Sequence, residues 1–217
     1  MAFAEENEQT RDRILQAAVE IFAKRGFKAG TVRDICAQAG VNVASVNYYF
    51  QSKEALYREA LAFSFKLADR KYPQDAVADV SLPPEDRLHL FIRTLLQRLL
   101  DDTHLGFHGK LMAREIADPT SALDHIVETA MRPRFLMLRD IVPRIAGEHW
   151  SQADIDRFIH SIIGQCLVYR HSRPLIERLC PEIVSGQQAI ERTAELIYRF
   201  SLAALRRLGE DNRRTPS

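Results

Sequence analysis

The sequence predicts an all-α fold built from an N-terminal three-helix domain with a helix-turn-helix and a larger helical C-terminal domain. Three observations carry this. Apolar residues recur at helical spacing through most of the chain. Helix-start and helix-stop signals crowd the stretch between Thr31 and Lys53. No segment shows the alternation of a half-buried strand.

The first helix is expected to begin near Glu8 to Thr10, with Ile14, Ala17, Ala18, Ile21 and Phe22 as its buried stripe. Lys24 and Arg25 suit its last turn, and Gly26 closes it. Thr31 and Asp34 have capping-box spacing, with Asp in the place more often held by Glu or Gln. From there Val32, Ile35, Cys36 and Ala39 share one face. Gly40 sits where a helix end needs positive φ, and Asn42 caps the next helix two residues later. Val41 and Val46 occupy the positions of a hydrophobic staple. Val46 and Phe50 then face inward, while Ala44, Asn47 and Tyr48 form an outward stripe. Ser52 starts a further helix at once, with Glu54 in its first turn, running to about Arg70.

Lys71 to Pro84 reads as the main loop. Pro84-Glu85-Asp86 opens a helix carrying Leu88, Phe91, Ile92, Leu95, Leu96 and Leu99. Another spans about Leu105 to Ala117 and stops before Asp118-Pro119. The helix from Ser121 is expected to kink at Pro133 and resume through Phe135, Leu138 and Ile141. Ser151 with Asp154 caps a long helix to about Arg170, and a short helix follows Pro174. The last helix is expected from about Gln187 to Leu208. The division that follows is 1–9 flexible tail, 10–57 helix-turn-helix domain, 58–208 helical domain and 209–217 flexible tail.

Net charge is +1, which by itself neither favours nor excludes an anionic partner. Its distribution says more. Between Thr10 and Ala60 eight basic residues (Arg11, Arg13, Lys24, Arg25, Lys28, Arg33, Lys53 and Arg58) stand against five acidic ones. Cys36, Cys166 and Cys180 have no metal-ligand spacing, and no leading apolar segment or bilayer-length run is present, so the expectation is a cytoplasmic protein with reduced thiols. A Gly-rich phosphate loop, a nucleophile elbow and a His-Glu-x-x-His pattern are all missing, so no enzyme is expected. His104 and His108 lie four apart without an evident third ligand; neither metal nor cofactor is expected.

A helix held across its partner by a tight turn has the geometry to enter the DNA major groove. Residues 10–57 resemble the N-terminal domain of TetR-family transcriptional regulators. The resemblance runs through Ile14-Leu15-Gln16-Ala17-Ala18, Phe22-Ala23-Lys24-Arg25-Gly26-Phe27, Ala39-Gly40-Val41, Tyr48-Tyr49-Phe50 and Ser52-Lys53-Glu54-Ala55-Leu56-Tyr57. It implies a DNA-binding domain joined to an effector and dimerisation domain. It places Arg33, Val43, Ala44, Asn47 and Tyr48 toward base edges, and Thr31, Ser45, Tyr49 and Lys53 at phosphates. The chemistry agrees: Arg suits guanine, Asn suits adenine, and small apolar groups suit a thymine methyl. Many relatives carry Lys or another polar residue in place of Val43 and Tyr in place of Asn47, so the base sequence read here is this chain's own.

The family also implies a homodimer on palindromic double-stranded DNA, the last two long helices pairing with those of a second subunit. The residues expected at that interface are Ile155, Phe158, Ile159, Ile162, Ile163, Cys166, Ile197, Ser201 and Leu205, with Gly164 permitting close approach. Leu111-Met112-Ala113-Arg114-Glu115 followed by Pro119-Thr120 resembles a branch with Ala-Arg-Glu and Pro-Thr in its effector domain, which includes regulators of transport and antibiotic-sensitivity genes. The expected function is a ligand-responsive repressor of a transport, resistance or metabolic operon. The expected effector is apolar or aromatic, lined by Phe107, His108, Met112, Arg114, Glu115, Arg134, Phe135, Met137, Gln165 and Tyr169. Arg114 and Glu115 have a second reading, in which they satisfy each other or nearby helix ends. The alternative function is a DNA-bound adaptor that acts through a protein partner.

Overall fold

The computed structural model describes residues 2–101, 106–147, 149–185 and 188–214. In chain order the helices are α1 (Ala2–Ala29), α2 (Val32–Ala39), α3 (Val43–Phe50), α4 (Lys53–Lys71), α5 (Asp75–Ala78), α6 (Pro84–Leu100), α7 (Gly106–Ala117), α8 (Ala122–Ile126), α9 (Arg132–Ala146), α10 (Gln152–His171), α11 (Arg173–Leu179) and α12 (Ala189–Arg214). Among the described residues there is no strand.

Local signals account for the short helices. Thr31 and Asp34 form both arms of the capping box, and Gly40 ends α2 at φ +65°, a left-handed conformation that a side chain would strain. Asn42 Oδ1 accepts from the Ser45 amide at 2.8 Å to start α3. Ser151 does the same for α10 through the Asp154 amide at 3.2 Å.

Four elements differ from expectation, the first being the single turn of α5 inside the segment Lys71 to Pro84 expected as a loop. Helix α1 begins at Ala2, ahead of residue 10, and Gly26 (φ +78°) bends it rather than ending it, with one further turn to Ala29. Between α8 and α9 the chain takes a π-helical turn, Val127–Met131, so Pro133 falls in the first turn of α9. Proline has no N–H to donate to the carbonyl four residues back, and the wider turn ahead of it absorbs that loss. Helix α12 continues past Leu208 to Arg214.

The helices group into two units that do not follow chain order: Met1–Lys71 with Asp101–Ala130, and Tyr72–Leu100 with Met131–Ser217. In the first, α1 packs against α2, α4 and α7, and α4 also meets α7 and α8. Its core includes Ile14, Leu15, Ala18, Phe22, Ile35, Val46, Phe50, Leu56, Leu61 and Leu111. In the second, α6, α9, α10 and α12 surround Leu88, Ile92, Leu96, Leu138, Ile141, Ile155, Ile159, Ile162, Cys166 and Ile197.

One buried charge crosses this second core. Arg87 on α6 donates from Nε to the Val77 carbonyl at 2.7 Å and from Nη1 to Asp140 Oδ2 on α9 at 2.7 Å. Arg87 holds the Asp140 carboxyl below the usual carboxylate range, with Arg144 adding to the effect. A carboxyl whose folded-state pKa is lowered stabilises the fold above its ordinary value near 4, and that stability is lost as pH falls through the lowered value. Arg87→Ala is therefore expected to cost about 3 kcal/mol at neutral pH and to flatten the loss of stability below about pH 4, both readable by urea denaturation across pH.

Candidate nucleic-acid interface

Helix α3 turns Val46 and Phe50 into the core and leaves Val43, Ala44, Asn47 and Tyr48 outside. Tyr48 is 75% exposed, unusual for an aromatic ring on an eight-residue helix. Arg33 is exposed on α2. This surface joins groups with donors, an acceptor and an apolar edge, the mixture that reads base pairs in a major groove.

The residues expected at phosphates border it. Thr31 is committed to the α2 cap, its Oγ1 accepting from the Asp34 amide at 3.1 Å. Its hydroxyl also lowers the Asp34 carboxyl below the usual range, and Arg25 reinforces this from 2.7 Å. Ser45 donates from Oγ to Asn42 at 3.0 Å, and the Tyr49 hydroxyl donates to the Asn7 side chain on α1. Lys53 opens α4 with its ammonium 3.2 Å from the Lys28 carbonyl and 4.8 Å from the centre of the Phe27 ring. An ammonium has three N–H donors, so two remain for an oxyanion.

Two neighbouring residues of α7 grip two other helices. Arg114 donates from Nε to the Ala23 carbonyl and from Nη2 to the Lys24 carbonyl, both at 2.8 Å, at the bend of α1. Glu115, with none of its surface exposed, accepts from Tyr57 Oη of α4 at 2.8 Å and from Thr120 N and Oγ1 at 2.9 and 3.0 Å. Burial and the adjacent carboxylate keep the Tyr57 hydroxyl protonated, its pKa pushed far above the ordinary range. Tyr57 also meets the Phe22 and Phe27 rings, each centre 4.9 Å away.

Residues 14–60 match the bacterial regulatory proteins of the tetR family. Residues 84–205, more than half of the chain, match the C-terminal domain of the HTH-type transcriptional dual regulator CecR. The chain belongs to the TetR family of transcriptional regulators. It is thus a DNA-binding regulator rather than an enzyme. Among its relatives, the HTH-type transcriptional dual regulator CecR of Shigella flexneri is 29% identical over 181 residues, covering 78% of this chain and 79% of the relative. The fold is shared with the transcriptional regulator FadR from Bacillus subtilis in complex with stearoyl-CoA, at TM-score 0.67 and 17% identity over 88% of this chain and 97% of that one. It is shared equally with a putative transcriptional regulator from Saccharomonospora viridis in complex with choline, at TM-score 0.68 and 17% identity over 89% and 95%.

The ten residues expected around a TetR-type effector divide between the two units. Phe107, His108, Met112, Arg114 and Glu115 lie in the first; Arg134, Phe135, Met137, Gln165 and Tyr169 lie in the second. They do not assemble within either unit alone. Arg114 and Glu115 are engaged with helix ends and Tyr57, as above. His108 is buried, its Nδ1 3.0 Å from Ser64 Oγ. Ser64 Oγ also donates to the Leu61 carbonyl at 2.7 Å. Gln165 donates to Ser201 Oγ at 3.2 Å, and Met137 and Tyr169 pack on the second core. A cleft of about 310 Å³ in the first unit is lined by other residues, Phe27, Lys28, Glu54, Tyr57 and Asp118 to Ala122. Sequence reasoning missed it because its walls come from segments some ninety positions apart. His104 lies outside the described residues. Among those described, no group of three or more His, Cys, Asp or Glu side chains is placed to hold a metal ion, and no helix is long and apolar enough to cross a membrane.

The residues expected at a subunit interface lie mostly inside the second unit. Ile155, Ile159, Ile162, Cys166, Ile197, Ser201 and Leu205 are buried in the chain's own second unit, and Phe158 and Ile163 pack partly buried against the same core. Burial pushes the Cys166 thiol up to about 12. Helices α10 and α12 are apolar over more than one face, and periodicity alone did not say which face stays inside. The outer faces carry Gly164 and Val168 on α10, and Leu196 and Phe200 on α12, the last two 64% and 65% exposed.

The buried Tyr57–Glu115 contact is directly testable. Tyr57→Phe keeps the ring packing and removes the hydroxyl donor, so it is expected to lower stability by about 1–3 kcal/mol in denaturant titrations. A change within a few tenths of a kcal/mol would mean that the carboxylate is satisfied without it.

Proposed function

We propose that this TetR-family regulator acts as a homodimeric, ligand-responsive repressor that places two α3 helices in successive major grooves of a palindromic site. The carrying observation is the exposed stripe of Ala44, Asn47 and Tyr48 on a helix whose other side is locked into the core. In this reading Arg33, Val43, Ala44, Asn47 and Tyr48 meet base edges, while Thr31, Ser45, Tyr49 and Lys53 meet phosphates. A single short helix touches too few bases for strong selectivity, and two-fold duplication supplies the rest. Repression follows where such a site overlaps a promoter.

The second subunit seats on the outer faces of α10 and α12. Leu196 and Phe200 are one helical turn apart and exposed, and a side chain at Gly164 would meet no atom of this chain, which suits close approach of another backbone. Phe200→Glu is expected to halve the sedimenting mass at micromolar concentration and to weaken binding of a full palindrome far more than of a half-site. A variant that stays dimeric would remove this face from the interface.

Effector control is supported by the shared fold with regulators in complex with stearoyl-CoA and with choline. The effector proposed here is apolar or aromatic, and it binds the DNA-incompetent state better, so DNA must reciprocally weaken it. The regulated genes proposed are those of a transport, resistance or metabolic operon. Thermal-shift screening of metabolites and antibiotics, followed by DNA-binding titration with each hit, tests this. Hits that stabilise the protein yet leave DNA affinity unchanged would replace effector control with the adaptor reading.

Specificity and affinity separate by residue. Arg33→Ala or Asn47→Ala is expected to cost roughly 1–3 kcal/mol per half-site and to relax one base position in selection from random duplexes. A base preference unchanged in both variants would move the reading face elsewhere.

A further inference from the structure

The first unit contains a closed ring of contacts that ends on Lys53. Arg114 ties the Ala23 and Lys24 carbonyls, which lie just ahead of the bend at Gly26. Helix ends leave carbonyls without ladder partners, and a planar guanidinium is shaped to donate to two neighbouring oxygens at once. Just past the bend, the Lys28 carbonyl and the Phe27 ring hold the Lys53 ammonium. One turn along α4, Tyr57 packs on the same Phe27 ring and donates to Glu115, the residue next to Arg114. The only surface ion pair in the ring, Lys28 with Asp118 at 2.9 Å, is largely solvent-exposed and adds little.

We infer that Arg114 is a positioning residue for DNA binding: by fixing the bend of α1 it holds the Lys28 carbonyl where it orients the Lys53 ammonium toward a phosphate. The inference rests on the proposed phosphate contact of Lys53. Ordering a long, mobile side chain before DNA arrives removes a cost that binding otherwise carries. Without the fork, the segment around Gly26 loses its anchor, and Lys53 samples many rotamers. Arg114 touches no base and need not touch DNA at all.

The test uses the full-length protein and a duplex recovered by the wild type from a random-sequence pool, titrated at several salt concentrations. Each lost phosphate contact lowers the slope of log K against log salt by about 0.9 per subunit. Lys53→Ala and Arg114→Ala are each expected to lower the slope by that amount, and the double variant no further than Lys53→Ala alone. Arg114→Lys keeps the charge but not the fork, so its slope is expected to fall between wild type and Arg114→Ala; it also serves if Arg114→Ala does not fold. Thermal denaturation of each variant reports folding separately, because a merely structural Arg114 would shift Tm while leaving the salt slope of the folded protein whole. A lowered slope in Lys53→Ala with a wild-type slope in both Arg114 variants would overturn this inference alone. An undiminished slope in Lys53→Ala would overturn the phosphate reading of Lys53 and the inference with it.

Discussion

A carboxylate with none of its surface exposed sits at the centre of the first unit, and the placement of the helices around it depends on its three donors. Burying an ionised carboxyl costs several kcal/mol unless hydrogen bonds replace its water. Glu115 recovers that cost from Tyr57 of α4 and from the amide and hydroxyl of Thr120, ahead of α8. Losing Tyr57 leaves Oε2 without a donor, and losing Thr120 does the same to Oε1, so α4, α7 and the turn before α8 are held as a set. The neighbouring Arg114 extends the set to α1. The reading head is thus not an independent module of the first sixty residues. Its bracing comes from residues more than fifty positions later.

That arrangement leaves α3 free to face outward. Its core side is fixed by Val46 and Phe50, its start by Asn42 and its axis by the packing of α1, α2 and α4. Preorganised elements lose less entropy on binding than flexible ones. Among the phosphate candidates Lys53 alone keeps donors in hand, two N–H beyond the one given to the Lys28 carbonyl, whereas Thr31, Ser45 and Tyr49 each donate their one hydroxyl proton to Asp34, Asn42 and Asn7 and must release it to meet an oxyanion.

The caps at Thr31, Asn42 and Ser151 and the left-handed Gly40 were legible because they depend on residues within four positions of one another. The inner and outer faces of α3 were legible for the same reason. Long-range pairings were not. Nothing local marks that Arg114 will reach the α1 carbonyls or that Glu115 will meet Tyr57. The spacing of Phe107 through Glu115 fits a ligand-lining stripe as well as a bracing helix. The two apolar faces of α10 and α12 are equivalent to a periodicity argument; only packing against α6 and α9 decides that Ile159 goes in and Leu196 stays out. At Gly26 a glycine with positive φ permits either a bend or an end, and nothing local decides between them.

In the proposed function the outer stripe of α3 lies in the major groove of two adjacent half-sites. Dimethyl sulfate footprinting on the selected duplex tests it directly, since the reagent methylates guanine N7 in the major groove and adenine N3 in the minor groove. Docking in the major groove gives two patches of guanine N7 protection, centred one helical turn (~10 base pairs) apart, with adenine N3 still reactive between them. Protection confined to adenine N3, or a single patch of N7 protection, would contradict it.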